Sequence, residues 1–150
     1  MSDRTEARLV TRLVFARSRL RDLAAAKLNE THHTVDAYES ELAIHRDRFQ
    51  DRCRRKLRTA PNARTLWVIE AESEAQRRWA TAREQELARL KEQQIGERRA
   101  LIRASSQLRT AERVRDRLYA ERARKTARNE QSASDDRSSV QRALGRRGSE

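Results

Sequence analysis

From Leu66 to Leu118 a register of alternating three- and four-residue steps runs unbroken for seven heptads: Leu66, Ile69, Ser73, Gln76, Ala80, Arg83, Leu87, Leu90, Gln94, Glu97, Leu101, Ala104, Leu108, Ala111, Arg115, Leu118. Ten of these sixteen positions are apolar, enough to mark one continuous stripe. A repeat averaging about 3.5 residues keeps one stripe of a helix turned toward one neighbour, the pattern of a coiled coil. A segment carrying it has to be helical and has to be paired.

The first part of the chain supplies a partner. A second register reads Leu9, Leu13, Ala16, Leu20, Ala24, Leu28, Thr31, Val35, Tyr38, Leu42, His45, Phe49. It alternates threes and fours except for the consecutive fours between Leu20 and Leu28. Such an irregularity predicts a stutter, a local unwinding of the supercoil. In the second segment the polar positions cluster at Ser73–Gln76 and Gln94–Glu97, and Gly96 predicts a looser stretch in the latter.

Composition argues against a globule. Charged residues make up 39% of the 150 residues and apolar ones 36%, against about 25% and 45–50% in ordinary domains. A compact core would have to bury charges, and unpaired ones are too costly. Pairing along a narrow seam buries apolar side chains and leaves the charges in water. Three glycines and one proline leave long stretches free of helix breakers.

The proline sets the division. Pro61 stands in Thr59-Ala60-Pro61-Asn62, where it lacks a backbone donor and blocks a continuous helix. Asn62 and Thr65 are candidate caps for the helix that follows. The reading is a helix over about 3–58, a turn at 59–63 and a helix over about 63–128. The two spans are roughly 80 and 100 Å long at about 1.5 Å per residue. So short a connection makes them antiparallel. Residues whose numbers sum to about 124 then face each other, which pairs Leu13 with Ala111, Ala16 with Leu108, Leu20 with Ala104 and Leu23 with Leu101. The same register sets the basic run 46–58 opposite Glu70, Glu72 and Glu74, with each exposed pair worth little. From 129 the register stops, and the Ser-rich stretch 129–150 reads as a flexible tail with at most a short helix near Val140–Leu144. The expected fold class is all-α: a long antiparallel two-helix coiled-coil hairpin, residues 1–128, with a disordered C-terminal tail.

The residues offer no catalytic or metal chemistry to build on. His32 and His33 are adjacent and diverge by about 100° on a helix, His45 stands alone on the seam, and Cys53 is the single cysteine. No metal ligand set, cofactor or phosphate-cradling glycine loop is expected, and a two-helix pair encloses no pocket for a small-molecule substrate. The expectation is a protein that is not an enzyme. A lone cysteine suits a reducing compartment, no apolar run approaches the length of a membrane span, and the charged start lacks a signal-peptide core. The cytoplasm is the expected location, with any contact to membrane made through partners.

What remains are candidate contact residues. The net charge is +12, and residues 98–128 carry eleven Arg or Lys against Glu112, Asp116 and Glu121. This block reads either as a solvated face or as a contact for an acidic protein surface or phosphates. Nucleic-acid binders add aromatic stacking or a groove-reading helix, whereas this block holds only Tyr119, so nucleic acid is the lesser alternative. Trp67 and Trp79 follow the turn, off the traced register. Each reads equally as packing, Trp67 over the hairpin tip and Trp79 near His45, or as an interface anchor.

Two long helices, a short turn and an Arg-rich end to the second helix, Glu112-Arg113-Val114-Arg115-Asp116-Arg117-Leu118-Tyr119-Ala120-Glu121-Arg122-Ala123-Arg124-Lys125, resemble the FliJ/YscO/HrpO family of type III secretion proteins. The leucine–arginine opening from Leu9 to Arg21 is similar too, and the likeness covers residues 5–130. The resemblance implies a fold like the two-helix stalk of the rotary ATPase gamma subunit. It implies a cytoplasmic stalk of a flagellar or virulence-associated export apparatus, linking the hexameric secretion ATPase to the cytoplasmic domain of the export gate, with export chaperones as further partners. Arg113, Arg115, Arg117, Arg122 and Arg124 are the expected ATPase contacts. A nucleic-acid-associated or scaffolding coiled-coil adaptor is the alternative.

Overall fold

A computed structural model describes the backbone of residues 3–147 and the side chains of residues 5–142. Two α-helices account for this backbone, α1 over Asp3–Thr59 and α2 over Ala63–Arg147. Ala60 N–H still donates to the Lys56 carbonyl at 3.1 Å, closing the last turn of α1. Asn62 N–H then donates across Pro61 to the Ala60 carbonyl at 2.9 Å, so the chain reverses where proline can offer no donor. Asn62 caps α2 as expected. Its Oδ1 accepts from the Thr65 backbone N–H and from the Thr65 hydroxyl, both at 2.9 Å, which satisfies an orphan donor of the first turn.

Contacts divide the chain into two units: Arg21–Ala104, and Met1–Leu20 with Ser105–Glu150. In the first, α1 and α2 pair antiparallel about the turn. Gln93 Nε2 donates to Thr31 Oγ1 at 3.5 Å, Arg83 Nη2 approaches Glu41 Oε1 at 3.5 Å, and the rings of His45 and Trp79 stack at 4.0 Å. Each pair obeys the register of about 124. The expected α1 seam from Ala24 to Phe49 is buried or half-buried throughout, with Val35 at 4% and Thr31 at 6% exposure. On α2 the seam from Ile69 to Ala104 likewise faces inward. Gln93 also donates to Glu97 Oε1 at 2.9 Å. With Thr31 this holds the Glu97 carboxyl below the usual carboxylate range. The helix passes through Gly96 uninterrupted, and an added Cβ there would touch nothing within 4 Å.

In the second unit the pairing holds but its phase on α1 differs from expectation. Leu108 and Ala111 are buried, each 5% exposed, and Arg17 Nη1 donates to Gln107 Oε1 at 2.5 Å. The inward residues of α1, however, are Val10, Val14 and Arg17. Leu9, Leu13 and Leu20 are 48%, 44% and 50% exposed, and Ala16 is exposed as well. In the first unit Leu23 is 61% exposed and its neighbour Arg21 is half-buried. Leu13, Ala16, Leu20 and Leu23 therefore do not take the seam positions expected of them, and there is no stutter between Leu20 and Leu28.

The reason is a phase constraint. The inward positions of α2 keep strict three–four steps through this stretch, so a stutter in α1 alone would unwind one helix against a partner that stays wound. Continuing the phase of Ala24 and Leu28 backwards gives Arg21, Arg17, Val14 and Val10. The actual irregularity lies nearer the turn, and both helices share it. On α1 consecutive fours join His45, Phe49 and Cys53, and on α2 they join Thr65, Ile69 and Ser73. Matched irregularities let both helices relax together. They also turn the expected seam residue Leu66 outward, to 57% exposure.

α2 continues to Arg147, past the expected boundary at 128. Residues 126–142 are all exposed, and α1, which starts at Asp3, has no residue in register with them. Only local bonds such as Ser138 Oγ to the Ser134 carbonyl at 3.0 Å and Ser139 Oγ to the Asp135 carbonyl at 2.8 Å appear there. The expected boundary marks the end of pairing and not the end of helix, because Ala, Arg, Gln and Ser without Gly or Pro can stay helical unaided, though only marginally in water. Residues 148–150 of the expected tail lie outside the described residues.

The phase makes a direct prediction. Leu108→Ala should cost about 2 kcal/mol or more, whereas Leu13→Ala, despite the identical chemistry, should cost less than about 1 kcal/mol. Urea unfolding followed by circular dichroism reads both, and the reverse order would put Leu13 in the seam.

Candidate functional site

The five arginines singled out on α2 divide by face. Arg113, Arg117 and Arg124 are exposed, while Arg115 and Arg122 are half-buried on the seam side. Helix geometry gives the reason: steps of four and eleven residues return to nearly the same direction, whereas Arg115 and Arg122 lie about half a turn away. The outward stripe Arg113–Arg117–Arg124 thus presents three guanidinium groups along one side of a single helix. Arg115 is held by its neighbour, with Nε donating to Asp116 Oδ1 at 2.9 Å and Nη2 at 2.8 Å from the same oxygen. The hydrogen bond and charge of Asp116 raise the Arg115 pKa above its ordinary value. Of the five expected contact residues, Arg113, Arg117 and Arg124 are thus turned to solvent, while Arg115 and Arg122 stand at the edge of the seam.

The same unit carries, on its other helix, apolar residues expected in the seam. Leu9, Leu13, Ala16 and Leu20 are spaced four, three and four residues apart on the outer surface of α1. Passing around the helix away from the seam, this stripe comes first and the exposed Arg8, Arg12 and Arg19 follow it. The Arg19 guanidinium sits 5.7 Å from the centre of the exposed Phe15 ring. The Thr11 and Tyr119 hydroxyls approach to 3.5 Å. The signal for the outward leucines was present, since their phase disagrees with that of Ala24 and Leu28.

The two tryptophans separate equally clearly. Trp79 is half-buried and stacked on His45 with the rings 27° from parallel. Arg83 lies 5.9 Å from the Trp79 ring centre and 5.2 Å from that of Tyr38, and its Nη1 donates to the Tyr38 hydroxyl at 3.4 Å. Aromatic faces and Glu41 accommodate the seam arginine. His45 Nδ1 and Gln76 Oε1 are 3.3 Å apart. Trp79 thus packs against the seam. Trp67 is the reverse: at 72% exposure it does not cover the turn.

Charge pairing between the helices is sparser than the register suggested. Lys56 pairs with Glu72, Lys91 with Glu39 at 2.6 Å and Arg83 with Glu41. Glu74 instead bonds within its own helix, to Arg78 at 2.9 Å and Arg77 at 3.7 Å. The Arg78 hydrogen bond, the Arg78 charge and then the Arg77 charge hold the Glu74 carboxyl below the usual range. Among the described residues no group of three His, Cys, Asp or Glu is placed to hold a metal ion, and no helix is long and apolar enough to cross a membrane. No family model matches the sequence, and neither curated proteins nor solved structures give a match.

Trp79→Ala should lower stability by about 1–2 kcal/mol through the lost stacking and cation–π contacts, while Trp67→Ala should change it by less than about 0.5 kcal/mol. Thermal melts of the two variants compare them directly, and equal losses would contradict the packing described.

Proposed function

We propose that this chain is a cytoplasmic stalk component of a type III secretion export apparatus, engaging the hexameric secretion ATPase through the unit formed by the start of α1 and the later part of α2, and linking it to the export gate. The observation that carries this reading is the exposed stripe of Arg113, Arg117 and Arg124 on a helix paired antiparallel with α1. The resemblance of the Arg-rich end of α2 to the FliJ/YscO/HrpO family supports it. So does the continuation of α2 beyond the start of α1, because a lone helix, about 10–12 Å across, is slim enough for a ring pore. Arginines on a solvated face meet an acidic lining through contacts that are individually weak and salt-sensitive, which suits a shaft that must turn. Binding of export chaperones remains part of the same proposal.

Binding of the full chain to the reconstituted ATPase ring tests the reading. Arg113→Gln, Arg117→Gln and Arg124→Gln combined should weaken binding roughly tenfold or more at low salt, with rising ionic strength erasing the difference. Arg8→Gln is the control for charge lost from another helix. An unchanged affinity in the triple variant would remove the ATPase assignment.

One observation favours a second reading, a scaffolding coiled-coil adaptor. Leu9, Leu13, Ala16 and Leu20 repeat the spacing of a coiled-coil seam on a solvated surface. If that stripe joins copies of the chain, light scattering at micromolar concentration gives a dimer or larger species, and Leu13→Glu returns it to a monomer. The stalk reading requires a monomer.

A further inference from the structure

The turn between the helices carries a combination that neither seam nor stalk uses. From Arg52 to Ile69 the chain has six cations, Arg52, Arg54, Arg55, Lys56, Arg58 and Arg64, and no Asp or Glu. All but Lys56 are exposed. Within the same stretch Leu57 is 43%, Leu66 57% and Trp67 72% exposed. Leu57 and Leu66 are register partners, so they lie opposite one another on the two helices, and Trp67 adjoins Leu66. The matched irregularities described above explain why: past Phe49 the inward positions become Cys53, Lys56 and Ala60 against Thr65 and Ile69, and both leucines are turned out of the seam.

We propose that this tip docks on an anionic membrane surface, with Trp67, Leu66 and Leu57 seated among the headgroups and the arginines around them on lipid phosphates. Two features favour lipid over other anionic partners, and a third adds to the attraction. Tryptophan is enriched at the membrane–water interface, where an apolar ring with a polar N–H is best accommodated. Exposed leucines gain from acyl chains, whereas single-strand nucleic-acid binding rests on base stacking against aromatic rings and on phosphate contacts. The basic stretch without acidic residues adds attraction to the negative potential of anionic lipid. The reach is interfacial only, since no described helix can span a bilayer. This association is independent of what the arginine stripe on the later part of α2 binds.

The probe is the full chain mixed with vesicles of phosphatidylcholine alone or of phosphatidylcholine with phosphatidylglycerol, read by co-sedimentation and tryptophan emission. The expected result is binding to the anionic vesicles with a blue shift and reduced acrylamide quenching. Trp67→Ala should abolish the shift and weaken partition severalfold while leaving the helical circular dichroism intact, and Trp67→Phe should restore part of the binding. Arg54→Gln, Arg58→Gln and Arg64→Gln combined should lower partition roughly tenfold or more. Arg113→Gln, Arg117→Gln and Arg124→Gln combined should leave the blue shift in place. The proposal is overturned if vesicle binding leaves emission unmoved, if Trp67→Ala binds like the parent chain, or if duplex DNA at equal phosphate concentration strips the chain from vesicles.

Discussion

The structure depends on two helices keeping the same phase. A two-helix pair has only one interface, so each helix buries a stripe one or two residues wide and nothing behind it. Among the described residues only Val35, Leu108, Ala111 and Thr31 are buried. With so little burial at each level, pairing is held by many levels in step, and a slip of phase on one helix would forfeit every level beyond it. Composition yields to phase where the two conflict. Arg17 and Arg21 take inward positions while Leu13, Leu20 and Leu23 stay in water, because those arginines are where the repeat falls. An arginine tolerates the position because its aliphatic stem covers apolar surface while the guanidinium reaches polar partners, as Arg17 reaches Gln107.

That conflict also marks what could be read in the sequence and what could not. The α2 register was legible in full from Ile69 to Leu118, since the repeat alone decides it. The turn was legible because Pro61 and Asn62 each allow little else. The register about 124 followed from the short connection and holds from Arg17–Gln107 to His45–Trp79. The start of α1 was misread because hydrophobicity and phase point to different residues there, and a trace that follows leucines must introduce a stutter to rejoin Ala24. The decisive clue was on the other helix, where α2 has no matching irregularity. In the stretch after 128 the end of pairing was legible, while the helix the backbone keeps there was not. Loss of the apolar repeat shows that pairing ends, but the helix is made by local backbone bonds that need no repeat.

The candidate contact residues were legible only as types. Composition showed many arginines near the end of α2, but sorting them required the helix faces, which place Arg115 and Arg122 inward and Arg113, Arg117 and Arg124 outward. Trp67 and Trp79 are alike by any sequence measure. They differ because Trp79 lands in register with His45 while Trp67, by its position on α2, points away from α1. The cluster of Tyr38, His45, Trp79 and Arg83 is likewise a product of register, drawn from positions far apart in the chain.

A seam this thin alters how partners act on the chain. Pairing that buries few side chains leaves modest stability, so any partner that binds only the paired form adds to it in proportion to its own occupancy. The apolar groups displaced by the phase constraint supply the means. Leu9, Leu13 and Leu20 flank the seam of one unit, and Leu57 and Leu66 flank the seam near the turn of the other. Leu57 and Leu66, on different helices, come together only while those helices stay paired. Exposure of these leucines weakens the free chain, yet it makes docking and pairing mutually reinforcing, because a surface that covers them extends the seam sideways. The same constraint that keeps them out of the core makes them useful on the outside.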